Sequence, residues 1–273
     1  MSVEGVFEVT DRDTNSLAEF LSQRGCQVLT IDNHVPDGHY TVKSMAEDTA
    51  QLLDHLHWTT DNHIVGISMG GMIAMQLASD HPAYVASLCL ISTTSTWQPT
   101  PVPDALPRTL DLSSPNYEVE AMLVEYPETW LAAPSKHDPR QTNQEYTLEV
   151  WIAPHVWQHA LTDHCPVKLG RTRLSSSKPP TPEGYKRQLW AVEHYDLGEE
   201  GLARIARAGY PVLVCTGDQD AIVAASNSEF LADRLKAPLK LFAHCGHNVN
   251  VQECERLNQL LLDFLSMPKG GEH

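Results

Sequence analysis

The chain has 273 residues, 42% of them hydrophobic, and carries 19 Lys+Arg against 35 Asp+Glu for a formal net charge of -16. That length and composition suit one large domain, or a domain with an inserted lid, and exclude an intrinsically disordered chain. The acidic balance argues against nucleic acid and anionic membrane as partners, because both attract basic surfaces.

Strand-like and helix-like segments alternate at both ends of the chain. Ser16 to Leu21 reads as a short helix ending at Gly25, and Gln27 to Ile31 as a buried strand. Between Thr41 and His57 the apolar residues Val42, Met45, Ala46, Leu52, Leu53 and Leu56 recur every three or four positions, which predicts a helix. The apolar run His63-Ile64-Val65 predicts a strand. Met72 to Ala78 predicts a helix that stops at Asp80-His81-Pro82, where proline disfavours further α conformation. Val85 to Ile91 is the next strand. The rhythm resumes with a strand at Pro211 to Cys215, a helix at Glu229 to Leu235 and a strand at Leu239 to Phe242. An amphipathic helix follows from Glu253 to Leu265, with Leu257, Leu260, Leu261 and Phe264 on one face. Such alternation predicts an α/β fold, a mostly parallel doubly wound sheet with helices on both faces.

The middle of the chain breaks the rhythm. Residues 97–208 hold 13 of the 18 prolines and five of the six tryptophans, and offer helix-like pieces but no parallel strand. The pieces are Tyr117 to Leu131, Glu145 to Leu161 and Tyr185 to Glu193, with a loop at Ser175 to Pro182. We expect residues 97–208 to form an inserted helical cap, and residues 1–96 and 209–273 to form the core. An aromatic-rich cap implies an apolar pocket beneath it. For any single tryptophan, the plainer reading is that it joins the cap's own helices.

The six cysteines are scattered, with no Cys-x-x-Cys, and Cys89 and Cys215 sit inside apolar runs as small hydrophobes. A reduced, cytoplasmic setting is expected. Met1 to Gly5 shows no secretory pattern, no run approaches transmembrane length, and the end at His273 carries no targeting signal.

Gly66-Ile67-Ser68-Met69-Gly70-Gly71 lies between the predicted strand and helix. A Gly-x-Ser-x-Gly in that position is a nucleophile elbow, a turn so sharp that the serine backbone is strained. It lifts the Ser68 hydroxyl above the sheet and aims the next helix's N-terminus at whatever the serine attacks. A serine hydroxyl needs a base to take its proton, and the base needs a carboxylate to orient it. The chain order for this elbow is Ser, then Asp or Glu, then His. Gly217-Asp218-Gln219-Asp220 follows one late strand and His244-Cys245-Gly246-His247 follows the last.

On these motifs the chain resembles the α/β-hydrolase superfamily, in its serine-nucleophile branch with a helical cap, from about Ser16 to Leu265. The resemblance implies Asp220 as the triad acid, from a Gly-x-x-Asp segment, and His247 as the base, from a Gly-His pair. Ser68 would then attack a carbonyl to form an acyl-enzyme, with the Met69 backbone N–H donating to the oxyanion. Asp218 and His244 stand as competing choices; their default readings are a turn-shaping aspartate and a solvated loop histidine.

The chain departs from the family at two places. Relatives open with extra strands and deliver a His-Gly loop that supplies a second oxyanion donor. Here only Val6 to Val9 offers a preceding strand, without a His-Gly pair, so the chain reads as an α/β-hydrolase fold lacking its first strands. The Gly-rich turn of relatives is replaced by Asp32-Asn33-His34-Val35-Pro36-Asp37-Gly38-His39-Tyr40. Losing one oxyanion donor costs about 10²–10³ in rate. A homodimer would cover a sheet edge left bare by missing strands.

No cofactor is expected, since no phosphate-binding Gly-rich loop or dinucleotide fingerprint is present. His155 and His159 have a spacing that can bind zinc, but no glutamate follows the first and no third ligand is set by spacing. The leading expectation is an esterase, thioesterase or C–C bond hydrolase acting on an apolar small molecule. The alternatives are a non-hydrolytic cyclase, dehydratase, isomerase or ligand-binding protein on the same fold, or a truncated inactive homologue.

Overall fold

Among the described residues, six strands build one sheet in the order β2-β1-β3-β4-β5-β6, and every neighbouring pair is parallel. They are β1 (Glu4–Glu8), β2 (Gln27–Thr30), β3 (Asn62–Ile67), β4 (Val85–Ile91), β5 (Val212–Gly217) and β6 (Leu239–Phe242). The structure is a computed structural model that describes residues 4–8, 17–31, 33, 40–97, 117–148 and 182–266. The short N-terminal run predicted as a strand is β1, and it lies inside the sheet between β2 and β3.

Strand alternation sorts the side chains onto two faces. Ile64, Leu88, Leu90, Val212 and Val214 enter one apolar cluster, while Val65, Ile67, Cys89, Ile91, Leu213 and Cys215 enter the other. Both faces are buried, so β4 and β5 read as mainly apolar runs, interrupted by the buried Ser87 and Thr216. Helices α2 (Val42–His55) and α3 (Met69–Asp80) cover the first face, and α1 (Leu17–Ser22) covers the second. A capping box starts α2: the Ser44 N–H donates to Thr41 Oγ1, and the Thr41 N–H donates to Ser44 Oγ. Buried Cys89 behaves as a hydrophobe, and burial pushes its thiol well above the ordinary range.

The described part of the middle segment includes α4 (Tyr117–Glu125), α5 (Glu128–Leu131) and α6 (Asn143–Thr147). The single helix expected over Tyr117 to Leu131 is two, because Pro127 takes the N-cap position of α5 and ends the first. α7 (Pro182–Glu193) covers the third predicted piece. The continuation of α6 toward Leu161, Trp151, Trp157 and the loop at Ser175 all lie outside the described residues.

Two points 100 residues apart in the chain meet at one seam. Thr96 and Asp196 form an antiparallel bridge, the Leu197 N–H donates to Ser95 O, and Thr96 Oγ1 donates to Asp196 Oδ1. Helix α8 (Gly198–Arg207), which composition groups with the cap, follows that seam and packs in the core layer. Its Leu202 and Ile205 lie in the larger cluster, and Arg204 Nε donates to Ser79 Oγ on α3. After β5 come α9 (Ala225–Leu235), then β6, then α10 (Val249–Gln252) and α11 (Cys254–Leu265). The last helix buries Leu257, Leu261 and Phe264 on the second face, as its sequence pattern predicts.

Leu53 is fully buried between α2 and the sheet. Leu53→Ala should therefore lower the unfolding free energy by about 2–5 kcal/mol, read as a lower urea midpoint with an unchanged m-value.

Candidate active site

The turn after β3 places Ser68 at φ 53 and ψ -121, an L-residue held in left-handed backbone space. Several contacts enforce it. The Ser68 N–H donates to Ile91 O at the end of β4, and Thr93 Oγ1 donates to Ser68 O at 2.7 Å. Ser68 O also accepts the first α3 amides, from Gly71 and Met72. A Cβ at Gly66 would run into the Gly70 backbone, so the chain can reverse this tightly only with glycine there. The Met69 N–H, first in α3, has no acceptor among the described residues and sits at the positive end of the helix dipole.

Asp220 follows β5 and is buried, with its carboxylate accepting three hydrogen bonds. Oδ1 takes the N–H groups of Ile222 and Val223 at 2.9 and 2.8 Å, and Oδ2 lies 2.9 Å from His247 Nδ1. A carboxylate only accepts, so His247 carries its proton on Nδ1 and presents the Nε2 lone pair. The two side chains are 8% (His247) and 0% (Asp220) exposed, which removes water from their contact. Burial opposes a charge on His247, but the Asp220 charge and hydrogen bond, together with the Glu125 charge, outweigh it. The net effect raises the imidazole above its ordinary value. Asp218 and His244 are both exposed, and His244 Nδ1 lies 3.5 Å from Gln219 Nε2.

The loop between β6 and α10 is braced. The Gly246 N–H donates to Gln252 Oε1 at 2.7 Å, and Gln252 Nε2 donates to His244 O. From the other side, the His247 N–H donates to Glu125 O at the end of α4. Ser68, Asp220 and His247 thus all stand just past strand ends at the carboxyl edge of one parallel sheet. Thr93 and Glu125 escaped the sequence reading. The run Ser92-Thr93-Thr94-Ser95, polar directly after an apolar strand, was the available signal for the first. Nothing local marks Glu125.

The described tryptophans of the segment are engaged within it or against the core. Trp130 stacks on Tyr126 at 4.8 Å beside the cluster of Met122, Tyr126 and Leu131, Trp190 stacks on His194, and Trp97 packs against the large core. His155 and His159 lie outside the described residues. No described helix is long and apolar enough to cross a membrane.

The α/β-hydrolase fold family matches residues 14–253. A RutD protein from Variovorax paradoxus (strain S110), whose name gives carbamate hydrolysis as a provisional activity, is 30% identical over 234 residues, 84% of this chain and 75% of its own. Among solved structures, the enol-lactonase of Burkholderia xenovorans LB400 aligns with a TM-score of 0.68 at 18% identity, covering 98% of this chain and 92% of that one. The 2-hydroxy-6-oxo-6-phenylhexa-2,4-dienoate hydrolase of Rhodococcus sp. strain RHA1 aligns at 0.60 and 20% identity, covering 97% and 91%. The chain belongs to the α/β-hydrolase fold family and is, at that level, a hydrolase.

The strained backbone at Ser68 yields a stability test. Left-handed strain of this kind costs about 1–3 kcal/mol, and glycine relieves it at roughly 0.5–1 kcal/mol of added chain entropy. Ser68→Gly should melt higher than the native chain while Ser68→Ala does not, as differential scanning calorimetry would read.

Proposed function

We propose that this chain is a serine hydrolase of small acyl compounds, with Ser68 as nucleophile, His247 as base, Asp220 as the group that orients it, and the Met69 N–H as an oxyanion donor. One observation carries the reading: a buried, hydrogen-bonded Asp220–His247 pair and a serine in a left-handed elbow follow strand ends on one edge of the same sheet.

The chemistry follows from the proton inventory. His247 Nε2 takes the Ser68 proton as Oγ bonds to the substrate carbonyl carbon, and the carbonyl electron pair moves onto oxygen. The Met69 amide stabilises that oxyanion. The imidazolium, held by Asp220, returns its proton to the leaving group as the carbonyl re-forms, leaving an ester on Ser68. Water repeats the sequence with His247 as base, releasing the acid and restoring the hydroxyl. The substrate class we favour is an apolar acyl compound, with carbamates included because of the relative whose name offers that activity. We also propose that residues 97–208 act as a cap.

A second reading, ligand binding or non-hydrolytic catalysis, is favoured by the sequence that follows β1. Val9-Thr10-Asp11-Arg12-Asp13 has no His-Gly pair where relatives carry their second oxyanion donor.

A fluorophosphonate probe separates the two. It should label the native chain and leave Ser68→Ala unlabelled; equal labelling of both would remove Ser68 as nucleophile. The pH profile adds a second test. A base must be neutral to act, and His247 is raised above the ordinary imidazole value of about 6.5. Hydrolysis of p-nitrophenyl acetate should thus be lost on acidification with a midpoint above that value, and a midpoint below it would contradict His247 as base.

A further inference from the structure

The described residues that touch the histidine loop from outside it include one not used by the mechanism above. Glu125 ends α4, in the inserted segment, and makes three contacts there. Its carbonyl accepts the His247 N–H at 2.9 Å. Its Oε2 accepts the Asn248 side-chain amide at 3.1 Å. Its backbone also lies where a Cβ on Gly246 would be, so helix end and loop touch without a side chain between them. The approach is extended by apolar packing, because Val251 of α10 joins Met122, Tyr126 and Leu131 of the insertion.

We propose that Glu125 is a positioning residue for His247, clamping the base-bearing loop to α4 so that seating this helix and placing the base are a single event. The inference rests on His247 being the base. The clamp grips both sides of the imidazole's own backbone: its amide is held by a main-chain acceptor and the next residue by a carboxylate. The charged groups acting on the ring are Asp220, from the loop after β5, and Glu125, from α4. Asp220 holds the ring itself, whereas Glu125 holds the backbone that carries it and adds a second negative charge nearby. An imidazolium forming during turnover would feel both.

The test uses the full chain. The first readout is an NMR titration of the His247 ring, assigned by comparison with His247→Asn, in the native protein and in Glu125→Gln and Glu125→Ala. Glutamine keeps an acceptor for the Asn248 amide and leaves the main-chain bond intact, so this variant guards against simple misfolding. Both variants should titrate at lower pH than the native chain; an unmoved midpoint in both would overturn the proposal. The second readout is p-nitrophenyl acetate kinetics. Glu125→Ala and Asn248→Ala should each lower kcat about tenfold with KM little changed, and the double variant should be no worse than either alone. Losses that multiply, or no loss in either, would overturn the clamp. A native chain that hydrolyses no ester, yet whose His247 titration moves in both variants, would sink the hydrolase reading and keep the contact between Glu125 and His247. Hydrolysis with an unmoved midpoint would do the reverse.

Discussion

Every strand in the described sheet runs the same way, and the candidate chemistry depends on that constraint. A parallel strand must send its following loop off at the carboxyl edge. The loops after β3, β5 and β6, distant in sequence, therefore open onto one rim. The rim is stiff because the strands beneath are buried on both faces, with alternate residues of β3, β4 and β5 feeding two separate clusters. Hydrogen bonds carry the ladder past the strand ends: Ser68 donates to Ile91, Ser92 to Cys215 and Asp218 to Phe242. A strained serine and a desolvated histidine survive there because the backbone around them has few other places to go.

Local electrostatics sort the polar groups on that rim. Two aspartates stand two residues apart after β5, and the one turned inward, Asp220, receives two backbone amides and the imidazole. Two histidines stand three apart after β6, and the one turned inward, His247, meets the carboxylate. Their neighbours Asp218 and His244 face solvent. Burial separates otherwise equivalent residues, and a buried charge is tolerable only where donors converge on it.

Much of this was legible in the residues. Short apolar runs place β2 to β6, and helical spacing places α2, α3 and α11, because strands buried on both faces need no polar side while α2 and α11 show one packed face. The Gly-x-Ser-x-Gly spacing states its own geometry, since Gly66 has no room for a side chain. The break at Pro127 was written in the sequence too, and helix periodicity on either side concealed it. Other features rest on contacts across long separations. Nothing near Glu125 announces that its carbonyl meets an amide 122 positions later. Helix α8 is of the same kind: Leu202 and Ile205 bury against α3, far away in the chain.

The seam at Thr96 and Asp196 bears on how such a chain can change over time. Both ends of the intervening segment are pinned to each other by a bridge and side-chain hydrogen bonds on the core's own ground. Among the described residues the core also meets the intervening stretch at α4, where Glu125 O accepts the His247 N–H, and at Tyr195, which donates to Met72 O. Closing a longer loop is cheap, about 0.6 kcal/mol for each doubling of its length. Changes of length between these contact points are therefore tolerable to the sheet, whereas changes at Glu125 or at the Thr96–Asp196 bridge reach it directly.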